Sequence, residues 1–316
     1  MNTLAMKRST SNRQGGFSIV EIMVAMLLGI FLVVALVQIL IEGKESFTSA
    51  NYLSRLQENG RIASNMIVTD LKRAGYLGAN AKVEKIGGSE NRVPPDNSCA
   101  NGTTDWGRMV ENHIEGLDDT DAGYNCITSY LRGDIVAVRY ASPWVVQNYD
   151  VGRLYLRSNV FDGAIFLGQN ATDTDNNLSD NIGVTNHELL AYAYYIGDSN
   201  RVCGGQPIPS LYRVRLDDNG QPVAEELLPG IEDLQVQYSD GLQYVNAGSV
   251  TEWKEIKTAR IWILVRSECP EQGFTDTQTY SLGNQNYTPG DNFRRQLYSS
   301  VVMLRNYKED DEPPPL

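Results

Sequence analysis

The strongest hydrophobic signal lies at the start of the chain. Residues 17–41, FSIVEIMVAMLLGIFLVVALVQILI, hold one ionisable side chain, Glu21, and one other strongly polar one, Gln38. These 25 residues exceed the roughly 20 apolar residues that a helix needs to cross a bilayer core. After residue 41 the pattern changes. Apolar or small residues stand at Leu53, Leu56, Gly60, Ala63, Ile67 and Leu71, at spacings of three and four that place them on one helical face. Ser54, Arg55, Glu58, Arg61, Asn65, Thr69 and Lys72 fall on the others. No proline occurs before Pro94, and Gly75 follows Lys72 and Arg73 as a C-terminal stop. The pattern predicts a helix over 17–74, roughly 85 Å long at 1.5 Å per residue. Its front half is apolar all round and its back half is amphipathic, suited to packing on a sheet.

Beyond residue 76 the period shortens. GDIVAVRYA (133–141), GRLYLRSNV (152–160), LLAYAYYIG (189–197), SLYRVRL (210–216), DLQVQYS (233–239), ARIWILVRS (259–267) and LYSSVVMLR (297–305) alternate or are rich in Val, Ile and Tyr, as strands are. Asp218-Asn219-Gly220 is a hairpin turn signal. The predicted class is α+β: one long N-terminal helix packed on an antiparallel sheet domain, with long loops at 80–132 and 168–187. No internal repeat is evident. The tail 308–316, KEDDEPPPL, is acidic and proline-rich and reads as disordered.

The basic flank Lys7, Arg8 and Arg13 precedes the apolar run, and residues 1–16 carry no acid. By the positive-inside rule this predicts a cytoplasmic N-terminus. A secretory signal would have a shorter apolar stretch and a small-residue cleavage site after it, and neither is present. An ordinary signal anchor fits the hydropathy. Two details go further: Gly15-Gly16 stands before the apolar run, and Glu21 stands inside it. A carboxylate in hydrocarbon costs roughly 2.5–3.5 kcal/mol on insertion scales, so it calls for a partner.

The string GFSIVE (16–21) resembles the class III signal of type IV pilins and pseudopilins. That resemblance implies a leader, residues 1–16, removed after Gly16 by a membrane prepilin peptidase. Phe17 becomes the N-terminus and is methylated. Glu21 then neutralises the amine of Phe17 on a neighbouring subunit, which offsets the cost of both charges in an apolar bundle. The blocks LQENGR (56–61), DLKRAGY (70–76) and RRQLYSSVVMLRN (294–306) are similar to the PilW family of minor pilins. Many major pilins carry a proline within the membrane helix, and this chain has none there.

The resemblance implies a pilin-like fold in five parts: leader 1–16, transmembrane and filament-core helix 17–41, amphipathic continuation 42–76, periplasmic β-rich domain 77–307 and tail 308–316. It implies a structural subunit, not an enzyme and without a cofactor, in the priming or tip complex that starts type IV pilus assembly, with twitching motility, adhesion and DNA uptake as indirect consequences. The implied location is the inner membrane, in a single pass with a periplasmic C-terminal domain, and then the pilus. The implied partners are other minor pilins, the major pilin, the inner-membrane assembly platform, the prepilin peptidase and a tip adhesin. Two other readings share some of these features: a J-type pseudopilin of type II secretion, and a membrane-anchored periplasmic binding domain.

Composition refines this picture. Lys and Arg total 27 against 39 Asp and Glu, a formal net charge of -12. The mean hydropathy of -0.33 is that of a soluble protein and hides the anchor. The acidity argues against direct nucleic-acid binding, which needs a basic face. Loss of the leader's three cations would make it stronger, at -15.

All four cysteines, Cys99, Cys126, Cys203 and Cys269, follow the anchor, in the compartment that favours disulfides. Three pairings are open. The sequential one, Cys99–Cys126 with Cys203–Cys269, would staple a loop and two strand regions. No CxxC occurs, which argues against zinc or redox chemistry.

Asp173, Asp175 and Asn177 match the start of an EF-hand loop, with Asp180 as a further oxygen. Leu178 then stands where glycine is needed and Val184 where the bidentate Glu belongs, so the segment is a weak calcium candidate at most. His113 and His187, the only histidines, have no ligand spacing and read as surface or loop residues. No G-x-S-x-G or phosphate-binding loop appears, and no carboxylate pair is singled out. Trp106, Trp144, Trp253 and Trp262 read as core or surface anchors rather than a stacking platform.

Overall fold

The computed structural model describes residues 16–79, 82–88, 105–122, 124, 126–127, 129–172, 178 and 182–306. The leader up to residue 15, Cys99, the calcium candidates Asp173, Asp175, Asn177 and Asp180, and the tail 308–316 lie outside the described residues. The chain divides into two compact units, Met1–Asn51 and Tyr52–Leu316.

Helix α1 runs Ile19–Arg73 without interruption. In the first unit α1 is apolar from residue 19 to 41 but for Glu21 and Gln38, and these residues are almost all exposed, from Ile19 at 77% to Leu40 at 74%. In the second unit the stripe seen in the sequence turns inward: Leu56, Gly60, Ala63, Ile67 and Leu71 are buried. Leu53, at the start of that stripe, stays exposed. Full burial of a side chain such as Leu56, Ile67 or Leu71 contributes roughly 1.5–3 kcal/mol. The helix stops as its last-turn cations and Gly75 foretell. Gly75 adopts a φ of 75° and its N–H bonds to Arg139 O at 3.0 Å. The Asn306 side chain caps the carbonyls of Arg73 and Ala74 at 3.2 and 3.1 Å.

The β domain has two main sheets. The first comprises β1 (Ile86–Gly87), β2 (Ile114–Leu117), β3 (Tyr130–Val145), β4 (Leu154–Ser158), β5 (Gly163–Leu167), β6 (Thr185–Cys203), β7 (Gln206–Leu216) and β8 (Pro222–Pro229). Its order is β1-β5-β4-β6-β3-β2, with β7 on β6 and β8 on β7. All pairings are antiparallel except β1 with β5. The long β6 pairs with β3 along one edge and with β4 and then β7 along the other. The second sheet is antiparallel, in the order β10 (Val245–Asn246), β9 (Ile231–Ser239), β11 (Thr258–Arg266) and β14 (Arg295–Met303). A separate hairpin joins β12 (Tyr280–Leu282) to β13 (Gln285–Tyr287). A four-residue helix, α2 (Asp105–Arg108), precedes β2.

Alternation of side chains sorts the sheets into cores. The buried face of α1, the inner residues Leu234, Val236, Ile261, Ile263 and Val302 of the second sheet, and Val136, Val138, Tyr140 and Tyr194 of the first meet in one core. The opposite face of β3 and β6, with Ile135, Ala137, Ala193 and Tyr195, is covered by Trp106, Tyr124 and Ile127. Burial on both faces explains why β3 and β6 read as near-continuous apolar runs.

The seven strands expected from the sequence correspond to β3, β4, β6, β7, β9, β11 and β14, and the Asp218-Asn219-Gly220 turn closes β7 onto β8 with Gly220 at φ 73°. The expected loop 80–132 is richer than foreseen, since it holds β1, α2 and β2. The histidines correct the sequence reading. His113 is 7% exposed and His187 only 3%, the latter within β6, so neither is a surface residue.

Candidate functional site

One element of this chain is left without cover by the rest of it. The most apolar window of α1 has none of its residues buried within the chain. Continuous apolar exposure on this scale needs lipid or neighbouring apolar helices to cover it. Gly16 lies just before the helix, and Phe17 is exposed beside it. A Cβ added at Gly16 would meet nothing within 4 Å, so no contact among the described residues requires glycine there. Glu21 lies in the first turn of α1. It is exposed and has no partner among the described residues.

The second unit holds its part of α1 by polar as well as apolar contacts. Asp70 sits on the buried helix face, where its carboxylate accepts from Tyr140 Oη at 2.7 Å and from Tyr194 Oη at 2.5 Å. Burial, and then the Asp70 charge, push both phenols well above the usual tyrosine range. Sequence periodicity missed this residue because an aspartate on an otherwise apolar stripe reads as an interruption. At Gly60 a Cβ would run into the Tyr298 ring of β14, whose Oη donates to Leu56 O at 3.3 Å. Asn59 Nδ2 donates to Pro229 O at 2.9 Å.

Two buried arginines organise the sheets. Arg139, fully buried on β3, donates to Trp106 O, Asn112 O and Glu115 at 2.7, 2.6 and 2.7 Å. Arg295 on β14 meets Glu232 at 2.5 Å, Asp291 at 2.6 Å and Asp276 at 3.3 Å. These are structural nodes, since each cation is enclosed by carboxylates or carbonyls of the same chain.

Cys203 is bonded to Cys269, across 66 residues of sequence, one of the two bonds of the sequential pairing. Cys126 is also disulfide-bonded, which leaves no free cysteine among the described residues. His187 has both ring nitrogens engaged, with Ser142 O at 2.8 Å and Thr185 Oγ1 at 3.0 Å, and so offers no ligand nitrogen. Burial holds the His113 imidazole down to about 4; a backbone bond to Glu111 opposes this and the Arg139 charge adds to it. Trp106 is a core residue and Trp144 a surface one, at 2% and 77% exposure.

Residues 193–306, from within β6 to just past β14, match the family described as type IV pilus-assembly protein W. A solved structure of a type IV-like pilin from Thermus thermophilus is similar at 14% identity and a TM-score of 0.37, covering 80% of this chain and 98% of that one. No curated protein matches. The matched stretch contains the whole second sheet, including the strand on which α1 packs. Over that stretch the chain is similar to that family, and ahead of it stand a long N-terminal apolar helix and the first strands of a largely antiparallel β domain.

Proposed function

We propose that this chain is a minor pilin, a structural subunit of a type IV pilus. The observation that carries the reading is the contrast along α1: an apolar segment with no cover inside the chain, continuous with a segment locked into the β domain. In this reading the leader 1–16 is removed after Gly16 and Phe17 is methylated. Residues 17–41 hold the subunit in the inner membrane, with the β domain in the periplasm. They later bundle with the helices of neighbouring subunits. Glu21, without a partner among the described residues, pairs with the amine of Phe17 on a neighbour. The pairing removes the desolvation cost of both charges and fixes the axial register of one helix against the next. Gly16 is glycine because the peptidase needs a small residue at the cut, which fits the empty space around it. The subunit acts with other minor pilins in the complex that primes assembly and stays at the tip, so that motility, adhesion and DNA uptake depend on it indirectly.

The test is mass spectrometry of the membrane-extracted protein, followed by crosslinking of the mature form. The expected N-terminus is a methylated Phe17, and the expected neighbours are pilins. An intact leader in cells that contain the peptidase would refute the reading; secretion pseudopilins as sole neighbours would replace it with the secretion assignment. Glu21→Ala is expected to be cleaved normally but to enter filaments poorly, and normal incorporation would remove the pairing role from Glu21.

A further inference from the structure

The β2–β3 connection carries a group that neither the helix nor the pilin reading uses. β2 and β3 are antiparallel with Leu117 opposite Ile135, so the next pair outward is Asp118 and Asp134. Asp119 follows at a φ of 48°, a left-handed conformation that aspartate tolerates, and its N–H bonds back to Asp134 Oδ1 at 3.0 Å. Carboxylate oxygens of Asp118, Asp119 and Asp134 all lie within 4.8 Å of one another. Opposite oxygens around a calcium ion, each at 2.3–2.6 Å, are about 4.6–5.2 Å apart. One such ion therefore reaches all three.

Asp134 is buried, Asp118 half-buried and Asp119 exposed, and their partners differ from those of the carboxylates that arginines hold. Glu115 has Arg139 at 2.7 Å, Glu232 has Arg295 at 2.5 Å and Asp233 has Arg132 at 2.6 Å. Among the described residues, no Lys or Arg pairs with Asp118, Asp119 or Asp134. Their partners are neutral amides: Asn246 at 3.4 Å from Asp118, Gln235 at 2.8 Å from Asp119, and the Val236 N–H at 2.7 Å from Asp134. Such donors orient carboxylates without cancelling their charge, as outer-shell groups do around metals.

A second feature is independent of the acids. Tyr238 on β9 is fully buried, and its Oη has no hydrogen-bond partner. It reaches Gly116, where any Cβ would collide with it. Gly116 lies two residues before Asp118, on the same face of the hairpin. Burial, and next the charge of Asp134, push the phenol well above its usual range, which places it in the field of these carboxylates. A buried phenol beside carboxylates ordinarily donates to one; an oxygen left free there is a neutral fourth ligand or the acceptor for a ligand water. A cleft of about 430 Å³ lined by Gly116, Asp118, Gly248 and Trp253 opens beside the hairpin and reaches the first of the three carboxylates.

We propose that Asp118, Asp119 and Asp134, with the Tyr238 hydroxyl behind them, form a calcium site that fastens the β2–β3 turn to β9. It is distinct from the segment around Asp173 that the sequence offered, and its ligands come from two sheets and not from a contiguous loop, which no spacing motif describes. The ion would tie the first sheet to the second through a part-exposed position.

The test uses the full chain in detergent, stripped with chelator and titrated with calcium chloride by calorimetry, with terbium luminescence as a second probe. The expected result is one ion per chain and a rise in melting temperature. Asp118→Asn with Asp119→Asn should weaken binding by about tenfold or more, while Asp173→Asn with Asp175→Asn should bind as the parent does. If the 118/119 pair of changes prevents folding, Asp118→Asn alone, at a part-exposed position, gives the same reading. The proposal is overturned by absence of both heat and melting shift up to about 5 mM calcium, above the roughly 10⁻⁴–10⁻³ M range of extracellular calcium modules. It is equally overturned by binding that survives the 118/119 changes and disappears with those at 173 and 175.

Discussion

Asp70 is the residue whose removal tests most directly how the helix is held. Its two carboxylate oxygens each accept one buried phenol, Tyr140 from β3 and Tyr194 from β6, at 2.7 and 2.5 Å. Asp70→Ala removes both acceptors and leaves two phenols, each about 1% exposed, whose O–H donors have lost their acceptor. Stranding a buried donor costs roughly 1–3 kcal/mol, more when the lost partner was charged. A loss of about 3–5 kcal/mol is expected for the pair. Asp70→Asn keeps one acceptor oxygen and turns an amide toward the second phenol, so about half that loss is expected. The informative variant is the triple change Asp70→Ala, Tyr140→Phe, Tyr194→Phe. With donors and acceptor all gone, no polar group is stranded, and the triple variant should be more stable than Asp70→Ala alone despite carrying more changes. The assay is urea unfolding of the full chain in detergent, followed by tryptophan fluorescence, with hydrogen exchange of residues 56–74 as a local readout. The reasoning is refuted if Asp70→Ala lies within about 0.5 kcal/mol of the parent, the range of an ordinary surface change, or if the triple variant is the least stable of the series.

Three further outcomes follow from single features. His113 is held at about 4 against an ordinary 6.5, so between these values the unfolded chain binds the extra proton. Stability therefore rises with pH across that window and falls on acidification, by about 3 kcal/mol in all at 1.36 kcal/mol per unit; His113→Gln should flatten that part of a melting-temperature profile, and an unchanged slope would remove His113 as its cause. Gly60→Ala gains up to about 1 kcal/mol of helix propensity but must displace the Tyr298 ring, so a net loss of roughly 1–2 kcal/mol in unfolding is expected, and a stabilised variant would contradict the close contact. Replacing Cys203 and Cys269 together by serine opens a loop closed across 66 residues, an expected loss of about 4 kcal/mol in the chain-entropy treatment, read by denaturant midpoint under non-reducing conditions.

The helix and seven strands were legible because burial there follows a local period. On α1 the three- and four-residue spacing from Leu56 to Leu71 describes a face, and the structure buries that face. Leu53 departs from it, and Asp70 joins it, for tertiary reasons. Leu53 precedes the stretch covered by the second sheet, and Asp70 is admitted because two phenols from different strands converge on it. The strands left out were β2, β5, β8 and the shortest pieces. β2 is IEGL, with Glu115 facing Arg139 and Gly116 facing Tyr238, so its sequence carries neither alternation nor β-branched enrichment. β8 is PVAEELLP, bounded by two prolines and carrying Glu225 and Glu226, which pair with arginines of β7 and of the β6 end. An edge strand whose outward charges are matched across a ladder has no local signature, because its partners come from elsewhere in the sequence.

The same distinction separates the two proposed functional elements. The apolar segment with Glu21 was legible because its chemistry is contiguous: a run of hydrocarbon, one acid and a glycine before them. The Asp118–Asp119–Asp134 group was not, because only the hairpin register brings Asp118 opposite Asp134, and only the second sheet supplies Tyr238. The histidines failed in the opposite sense. Their lack of ligand spacing was read as surface or loop placement; His113 is in a loop but buried, lying against Gly75 at the helix stop, and His187 is in β6, enclosed by Ser142 O and Thr185 Oγ1. The lack of a ligand motif carries no information on location. Where a neutral imidazole finds a backbone carbonyl and a hydroxyl, burial is inexpensive. Where one ring nitrogen finds none, as at Nε2 of His113, burial leaves an acid-sensitive group where α1 ends and β3 passes beneath it.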